Sequence, residues 1–220
     1  MSREAIIFGA TGAVGSRLLE LCLGANHYSR VIVVARREAR KSHPRLKWIA
    51  CEFDALDELE PIPGLANGDA FCCLGTTIKA AGSQDQFRRV DFDFVVNAAR
   101  FAKTCAIRNF SVVSAVGANA ESTNFYSRTK GEMEAALIAE NLPTLRIFRP
   151  SLLSGERDEF RIKEEIGNVV SWFMTPLFHL GLRKYQPIKI EKVARAMLET
   201  SNYDSMDDSV RIYESDELQA

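Results

Sequence analysis

Residues 4–8, Glu-Ala-Ile-Ile-Phe, form a short apolar run that enters Gly9-Ala-Thr-Gly12-Ala-Val-Gly15 and then Ser16–Leu23, where apolar residues recur at helical spacing. A strand, a glycine turn and a helix within so short a stretch constrain this chain more than any other feature. Glycine lets the backbone reverse sharply and come close to a charged group, and the helix that follows begins with N–H groups that have no partner within the helix. A Gly-x-x-Gly-x-x-Gly spacing means little alone; between a strand and a helix it predicts a pyrophosphate cradle.

Alternation continues along the chain. Residues 30–35, Arg-Val-Ile-Val-Val-Ala, read as a second strand that runs into Arg36-Arg37, with no acid before Glu38. An acid at this strand end holds a ribose 2′-hydroxyl and an arginine accommodates a 2′-phosphate, so Arg36 with Arg37 favours NADP over NAD. Residues 46–52 read as a third strand. Asp54 just beyond it is placed either to face an adenine amine or to cap a helical stretch over 55–59. Glu60–Gly68, with its prolines and glycines, is a loop. Asp69–Leu74 is a fully buried strand ending in Gly75-Thr76-Thr77, at the carboxyl edge where open α/β sheets bind ligands. Over 84–105, Phe87, Val90, Phe94, Ala98 and Phe101 recur at helical spacing as core packing. A fifth strand over 109–114, a helix over 124–140, a sixth strand over 144–148, a helix over 190–201 and a last strand over 209–213 complete the pattern. The expectation is an α/β fold: one Rossmann-type domain over 1–220 with a doubly wound parallel sheet of about seven strands. Residues 151–187 break the alternation and are expected to fold over the sheet's carboxyl edge as a small substrate-capping segment.

Composition narrows the function classes. The chain has 220 residues, 46% hydrophobic and 26% charged, with a formal net charge of −1. That balance fits an ordinary globular domain and offers no basic stripe for nucleic acid or a membrane surface. No stretch approaches the roughly 20 apolar residues of a spanning helix. Met1-Ser-Arg-Glu leads straight into the first strand, which leaves no room for a signal peptide, and the expected location is cytoplasmic. The five cysteines and three histidines follow no ligand spacing, so no metal site is expected.

One further constellation carries chemistry. The run Ser111–Gly117 places Ser114 at the carboxyl end of the fifth strand. Tyr126 and Lys130 follow, four residues apart and hence on one face of a helix. A phenol has an ordinary pKa of about 10, and a neighbouring ammonium favours its phenolate. With a serine hydroxyl to hold a substrate oxygen, the three make a proton-transfer site for a carbonyl or alcohol. Ser111 competes with Ser114 for this role but opens the strand at the wrong end.

Together these motifs resemble the short-chain dehydrogenase/reductases. Gly9-x-x-Gly12-x-x-Gly15, Gly75-Thr-Thr, Ser114 and Tyr126-x-x-x-Lys130 carry the match, including the twelve-residue step from Ser114 to Tyr126. The runs Phe71-Cys-Cys-Leu-Gly-Thr-Thr77 and Phe148-Arg-Pro-Ser-Leu-Leu153 are similar to an atypical subgroup, the Tat-interacting-protein oxidoreductases. The common family form at the fourth strand end is an Asn-Asn-Ala-Gly run, which this chain lacks. The resemblance implies Tyr126 as general acid/base, Lys130 as the group that lowers its pKa and holds the nicotinamide ribose, and Ser114 as the group that orients the substrate oxygen. It implies cofactor contacts from Gly9, Thr11, Gly12, Ala13, Val14 and Gly15 to pyrophosphate. Arg36 and Arg37 would meet the 2′-phosphate, Asp54 the adenine, Leu74, Gly75 and Thr76 the adenosine ribose region, and Pro150 to Leu153 the nicotinamide amide. The expected activity is NADP(H)-dependent oxidoreduction of a small-molecule carbonyl or alcohol, by a monomer or a possible homodimer. The alternatives are an NADPH-binding regulatory protein with little turnover and a sugar-nucleotide epimerase or dehydratase.

Overall fold

The computed structural model describes residues 2–37, 42–155, 183–202 and 209–219. Most of the expected substrate-capping segment, residues 156–182, lies outside the described residues, as does Glu38. The described strands β1 (Arg3–Phe8), β2 (Tyr28–Ala35), β3 (Leu46–Ala50), β4 (Asp69–Cys72), β5 (Asn109–Val113), β6 (Leu145–Arg149) and β9 (Val210–Glu214) form one sheet in the order β3-β2-β1-β4-β5-β6-β9. Every pairing in it is parallel. The strand order therefore reverses between β1 and β4, the switch point at which an open parallel sheet leaves a crevice. A separate pair, β7 (Leu153–Ser154) and β8 (Ile188–Lys189), is also parallel.

Two apolar layers cover the sheet. On one face Ile6, Phe8, Ile32, Val34, Cys72, Phe110 and Val112 pack with α4 (Phe94–Thr104) and with Met133 and Leu137 of α5 (Phe125–Ala139). On the other, Ile7, Val31, Val33, Phe71 and Phe148 pack with α1 (Ala13–Gly24) and α6 (Ile190–Thr200). Strands buried on both faces account for continuous apolar runs in place of alternation.

Two expected elements change. The stretch over 55–59 is a 3-10 helix, Phe53–Glu58, with Asp54 inside it, not at its N-cap. After a short α2 (Ile78–Ala81), the expected long helix over 84–105 is divided: α3 (Gln84–Arg88) leads into a π-helical turn, Arg89–Asp93, before α4 begins. The Phe94 N–H donates to the Arg89 carbonyl, five residues back, which inserts one residue into the turn and rotates the helix faces on either side of it.

Helix α5 starts where Asn124 accepts the Ser127 N–H at 3.1 Å, a side-chain cap typical of asparagine. Gly131 lets it lie against the preceding loop: a Cβ there would meet the Ala120 nitrogen at 2.1 Å and the Asn119 carbonyl carbon at 2.2 Å. Backbone cannot yield as a flexible side chain can, so Gly131→Ala should cost about 3 kcal/mol, the upper range for overpacking. A urea midpoint equal to that of the unaltered protein would refute this close approach.

Candidate functional site

The site is assembled at the carboxyl edge from the turns that follow β1, β2, β4, β5 and β6. The first follows β1, where Gly9 adopts φ +82° and a Cβ would lie 2.6 Å from the Cys73 carbonyl oxygen. A Cβ on Gly15 would lie 2.2 Å from the Gly9 oxygen. Gly9 and Gly15 thus close the turn against its neighbours, while Gly12, exposed, has its nearest such contact at 3.4 Å and leaves an open surface. Gly12 N-caps α1 with no side-chain cap bond, and no acid stands in the first turn of the helix. Ala13, Val14 and Gly15 therefore begin a helix whose leading N–H groups are available to an anion. Thr11 is exposed beside them. This turn fits a dinucleotide pyrophosphate.

Arg36 and Arg37 leave β2 at the same edge, both exposed. Asp54 is engaged by the Arg89 guanidinium. Leu74 is buried, and Gly75 and Thr76 form the turn after β4. Pro150 is buried and its carbonyl accepts the Val116 N–H at 2.9 Å; Leu153 follows in β7.

Lys130 has a partner that the sequence reading did not single out, Asp91. Lys130 and Asp91 are nearly inaccessible, with side chains 4% and 1% exposed, and Lys130 Nζ lies 2.7 Å from Asp91 Oδ1. Asp91 Oδ2 also accepts the Thr76 N–H at 2.8 Å. The part-buried Tyr126 ring lies 5.4 Å from that of Phe87, centroid to centroid. Burial holds the Tyr126 phenol above its ordinary value; against it the Lys130 ammonium acts in the lowering sense expected of it, and the Asp91 carboxylate raises the phenol again. Burial alone would lower the Lys130 ammonium, but Asp91 and then Tyr126 hold it above its ordinary value.

Ser114 closes β5, and its backbone N–H donates to the Phe148 carbonyl at 2.7 Å. Its hydroxyl donates to Glu134 Oε1 at 2.5 Å. Arg149 grips both oxygens of that carboxylate, Nε to Oε1 at 3.0 Å and Nη2 to Oε2 at 2.5 Å, and extends Nη1 to Glu214 at 2.8 Å. Ser111 is buried within β5 and accepts from Asn109 Nδ2 at 3.1 Å.

Asp91, Glu134 and Arg149 were missed from the sequence. Each left a signal. Asp91 falls four residues after Phe87 and three before Phe94, on the stripe assigned to the core. Glu134 repeats the spacing from Tyr126 to Lys130, and Arg149 is the second arginine of the strand Leu-Arg-Ile-Phe-Arg, whose other residues are apolar.

A parallel sheet with a glycine turn at its switch point and an open helix N-terminus defines a dinucleotide-binding Rossmann protein. The chain belongs to the NAD(P)H-binding family, whose profile matches residues 9–162. It is 35% identical to rat (Rattus norvegicus) protein HTATIP2 over 163 residues, 73% of this chain and 66% of that protein. It is 30% identical to the mitochondrial protein FMP52-1 of Scheffersomyces stipitis over 227 residues, 98% of this chain and 96% of that protein. Among solved structures, MoeE5 in complex with UDP-glucose and NAD has a TM-score of 0.66 at 16% identity, over 95% of this chain and 74% of that one. The UDP-N-acetylglucosamine 4-epimerase of Bacillus cereus also has a TM-score of 0.66, at 12% identity, over 97% of this chain and 78% of that one. Identities this low speak for the fold alone. The expected cytoplasmic location is overturned by the fungal relatives, which are named as mitochondrial proteins. The expectation had rested on the first few residues, which say nothing of how a folded domain is delivered.

Removing Glu134 would leave the Arg149 guanidinium part-buried with one of its two carboxylate partners gone. Glu134→Ala should cost about 3 kcal/mol, the lower end for breaking a buried pair, given that Arg149 keeps Glu214 and some solvent contact. Chemical denaturation checks this, and a loss below about 1 kcal/mol would show that the carboxylate is solvated.

Proposed function

We propose that this protein is an NADP(H)-dependent oxidoreductase of the short-chain dehydrogenase/reductase type, acting on a small carbonyl or alcohol at Ser114, Tyr126 and Lys130. The observation that carries the reading is a buried Lys130 one helical turn beyond Tyr126 on α5, beside the turn after β4 and at the edge that holds the glycine turn. Structural lysines are seldom buried; this one sits next to a phenol, where its charge favours the phenolate that proton transfer creates.

Gly9, Thr11, Gly12, Ala13, Val14 and Gly15 would hold the pyrophosphate, with Arg36 and Arg37 on the 2′-phosphate. Leu74, Gly75 and Thr76 would line the ribose side and Pro150 to Leu153 the nicotinamide side. When bound, the nicotinamide supplies or accepts hydride. The chain's own residues manage the proton and the orientation. Tyr126 gives a proton to the substrate oxygen or takes one from it. Lys130 stabilises the tyrosinate. Ser114 orients the same oxygen; to donate to a carbonyl, its hydroxyl must turn from Glu134.

Tyr126→Phe, which removes only the hydroxyl, should retain NADPH binding and lose about 10²-fold or more in turnover of any carbonyl found active in a substrate panel. Unchanged turnover would end the proposal. For the 2′-phosphate, NADPH should raise the melting temperature more than NADH, and Arg36→Ala should narrow the gap. Occupancy at about 100 times Kd corresponds to about 2.7 kcal/mol of stabilisation. Equal shifts from NADH and NADPH in the unaltered protein would refute the role of Arg36.

A second reading, a sugar-nucleotide epimerase or dehydratase, would use the same fold, which this chain shares with several proteins named as epimerases. Such an enzyme regenerates its cofactor within each turnover. Dinucleotide retained through purification and detected by mass would favour this reading, whereas cofactor that washes out and is consumed stoichiometrically would favour the first.

A further inference from the structure

The bond between Ser114 and Glu134 decides what Ser114 can offer a substrate. Ser114 Oγ lies 2.5 Å from Glu134 Oε1, with both side chains buried. Arg149 Nε meets the same oxygen at 3.0 Å, and Arg149 Nη2 meets Oε2 at 2.5 Å. A carboxylate only accepts hydrogen bonds, and a proton on either oxygen would face one of these N–H groups. The hydrogen between Ser114 and Glu134 is therefore the serine's own. A hydroxyl has one hydrogen and two acceptor positions. While the bond to Glu134 stands, Ser114 meets whatever enters the crevice as an acceptor.

The reacting oxygen has no hydrogen for such an acceptor. A carbonyl oxygen carries none, and the one hydrogen of an alcohol belongs to the exchange with Tyr126. To serve a carbonyl oxygen, Ser114 must turn from Glu134 and leave Oε1 with Arg149 Nε alone. The carboxylate is not free to follow, because Arg149 grips both its oxygens and is itself tied to Glu214 at 2.8 Å. Lys130, one turn nearer the start of α5, is engaged by Asp91 at 2.7 Å and supplies no replacement donor. A hydroxyl on the carbon next to the reacting one removes the conflict: it donates to Ser114 while the serine keeps Glu134.

We propose that Glu134 is a positioning residue that fixes Ser114 as a hydrogen-bond acceptor, so that the site favours α-hydroxy ketones and aldehydes, whose reduced forms are vicinal diols, over carbonyls without the neighbouring hydroxyl. The proposal rests on the oxidoreductase reading above and names its substrate class. In the reductive direction the carbonyl carbon takes hydride from the reduced nicotinamide and the carbonyl oxygen takes the proton of Tyr126, which solvent replaces. The neighbouring hydroxyl keeps its hydrogen throughout, and a vicinal diol leaves.

The experiment measures kcat/KM of the full chain with NADPH on two matched sets: 2-butanone with its 3-hydroxy and 3-methoxy derivatives, and cyclohexanone with its 2-hydroxy and 2-methoxy derivatives. The methoxy group keeps the oxygen and removes the hydrogen. In at least one set the hydroxy ketone should exceed both companions by about tenfold or more, the scale of one hydrogen bond to a charged group. Ser114→Ala should bring that ratio close to one by loss on the hydroxy ketone. Glu134→Leu combined with Arg149→Leu, which leaves neither charge of the pair buried alone, should bring it down by gain on the plain ketone, because the serine hydrogen is released. A role confined to stability would lower all three substrates alike. Should the double variant fail to fold, the unaltered protein and Ser114→Ala still decide. A hydroxy ketone no better than its methoxy companion in both sets, or a ratio unmoved by Ser114→Ala, overturns the proposal, and turnover of other carbonyls would then leave the oxidoreductase reading standing. A protein that binds NADPH and turns over no carbonyl at all ends that reading and this proposal with it.

Discussion

Everything at the carboxyl edge depends on a place where the backbone leaves no room for a side chain. The chain leaving β1 passes so near the chain leaving β4 that a Cβ on Gly9 would sit 2.6 Å from the Cys73 oxygen, and the start of α1 passes equally near Gly9. At these distances the neighbours are backbone atoms, which cannot swing aside. The contact brings the N-terminus of α1 and the Gly75–Thr76 turn to one crevice. Every later feature of the site is measured from that crevice: Asp91 reaches it through the Thr76 N–H, and Lys130 through Asp91.

Two buried carboxylates then divide the polar work. Asp91 serves the crevice, and Glu134 serves the layer below it, where it takes the Ser114 hydroxyl and two nitrogens of Arg149. Neither carboxylate is left without a partner, which is the condition for charge to persist where water is scarce. The second cluster also links β5, α5, β6 and β9, because Arg149 continues to Glu214. Ser114 is therefore held by a carboxylate whose guanidinium partner also reaches the last strand of the sheet.

The fold was legible for a physical reason: strands buried on both faces must be apolar throughout, and helices that cover them must be amphipathic, so both periods are written in the residues. The glycine turn was legible because no other residue type tolerates its contacts. Tyr126 and Lys130 were legible as a spacing. The partners of Lys130 and Ser114 were not, because pairing across elements depends on register. The π turn is an example. It changes which residues of 84–105 face inward by a single inserted position, and no propensity marks it. The surroundings of Tyr126 were half legible for the same reason: the sequence offered the lysine that lowers its pKa and concealed the burial and the aspartate that raise it.

Helix α5 shows what such a site asks of its scaffold. Tyr126, Lys130 and Glu134 follow one another every four residues, so the stripe that an ordinary helix would give to the core carries a phenol, a cation and an anion. Met133 and Leu137 anchor the helix to one side of that stripe, and Gly131 removes the side chain that would hold the helix off its own preceding loop. The polar stripe can be buried only because each charge on it meets a countercharge from another element, Lys130 from the π turn and Glu134 from β6. A substitution of Lys130 or Glu134 must therefore act on folding and on the charge around Tyr126 together, since the groups that fix the helix in place are the groups that set that charge.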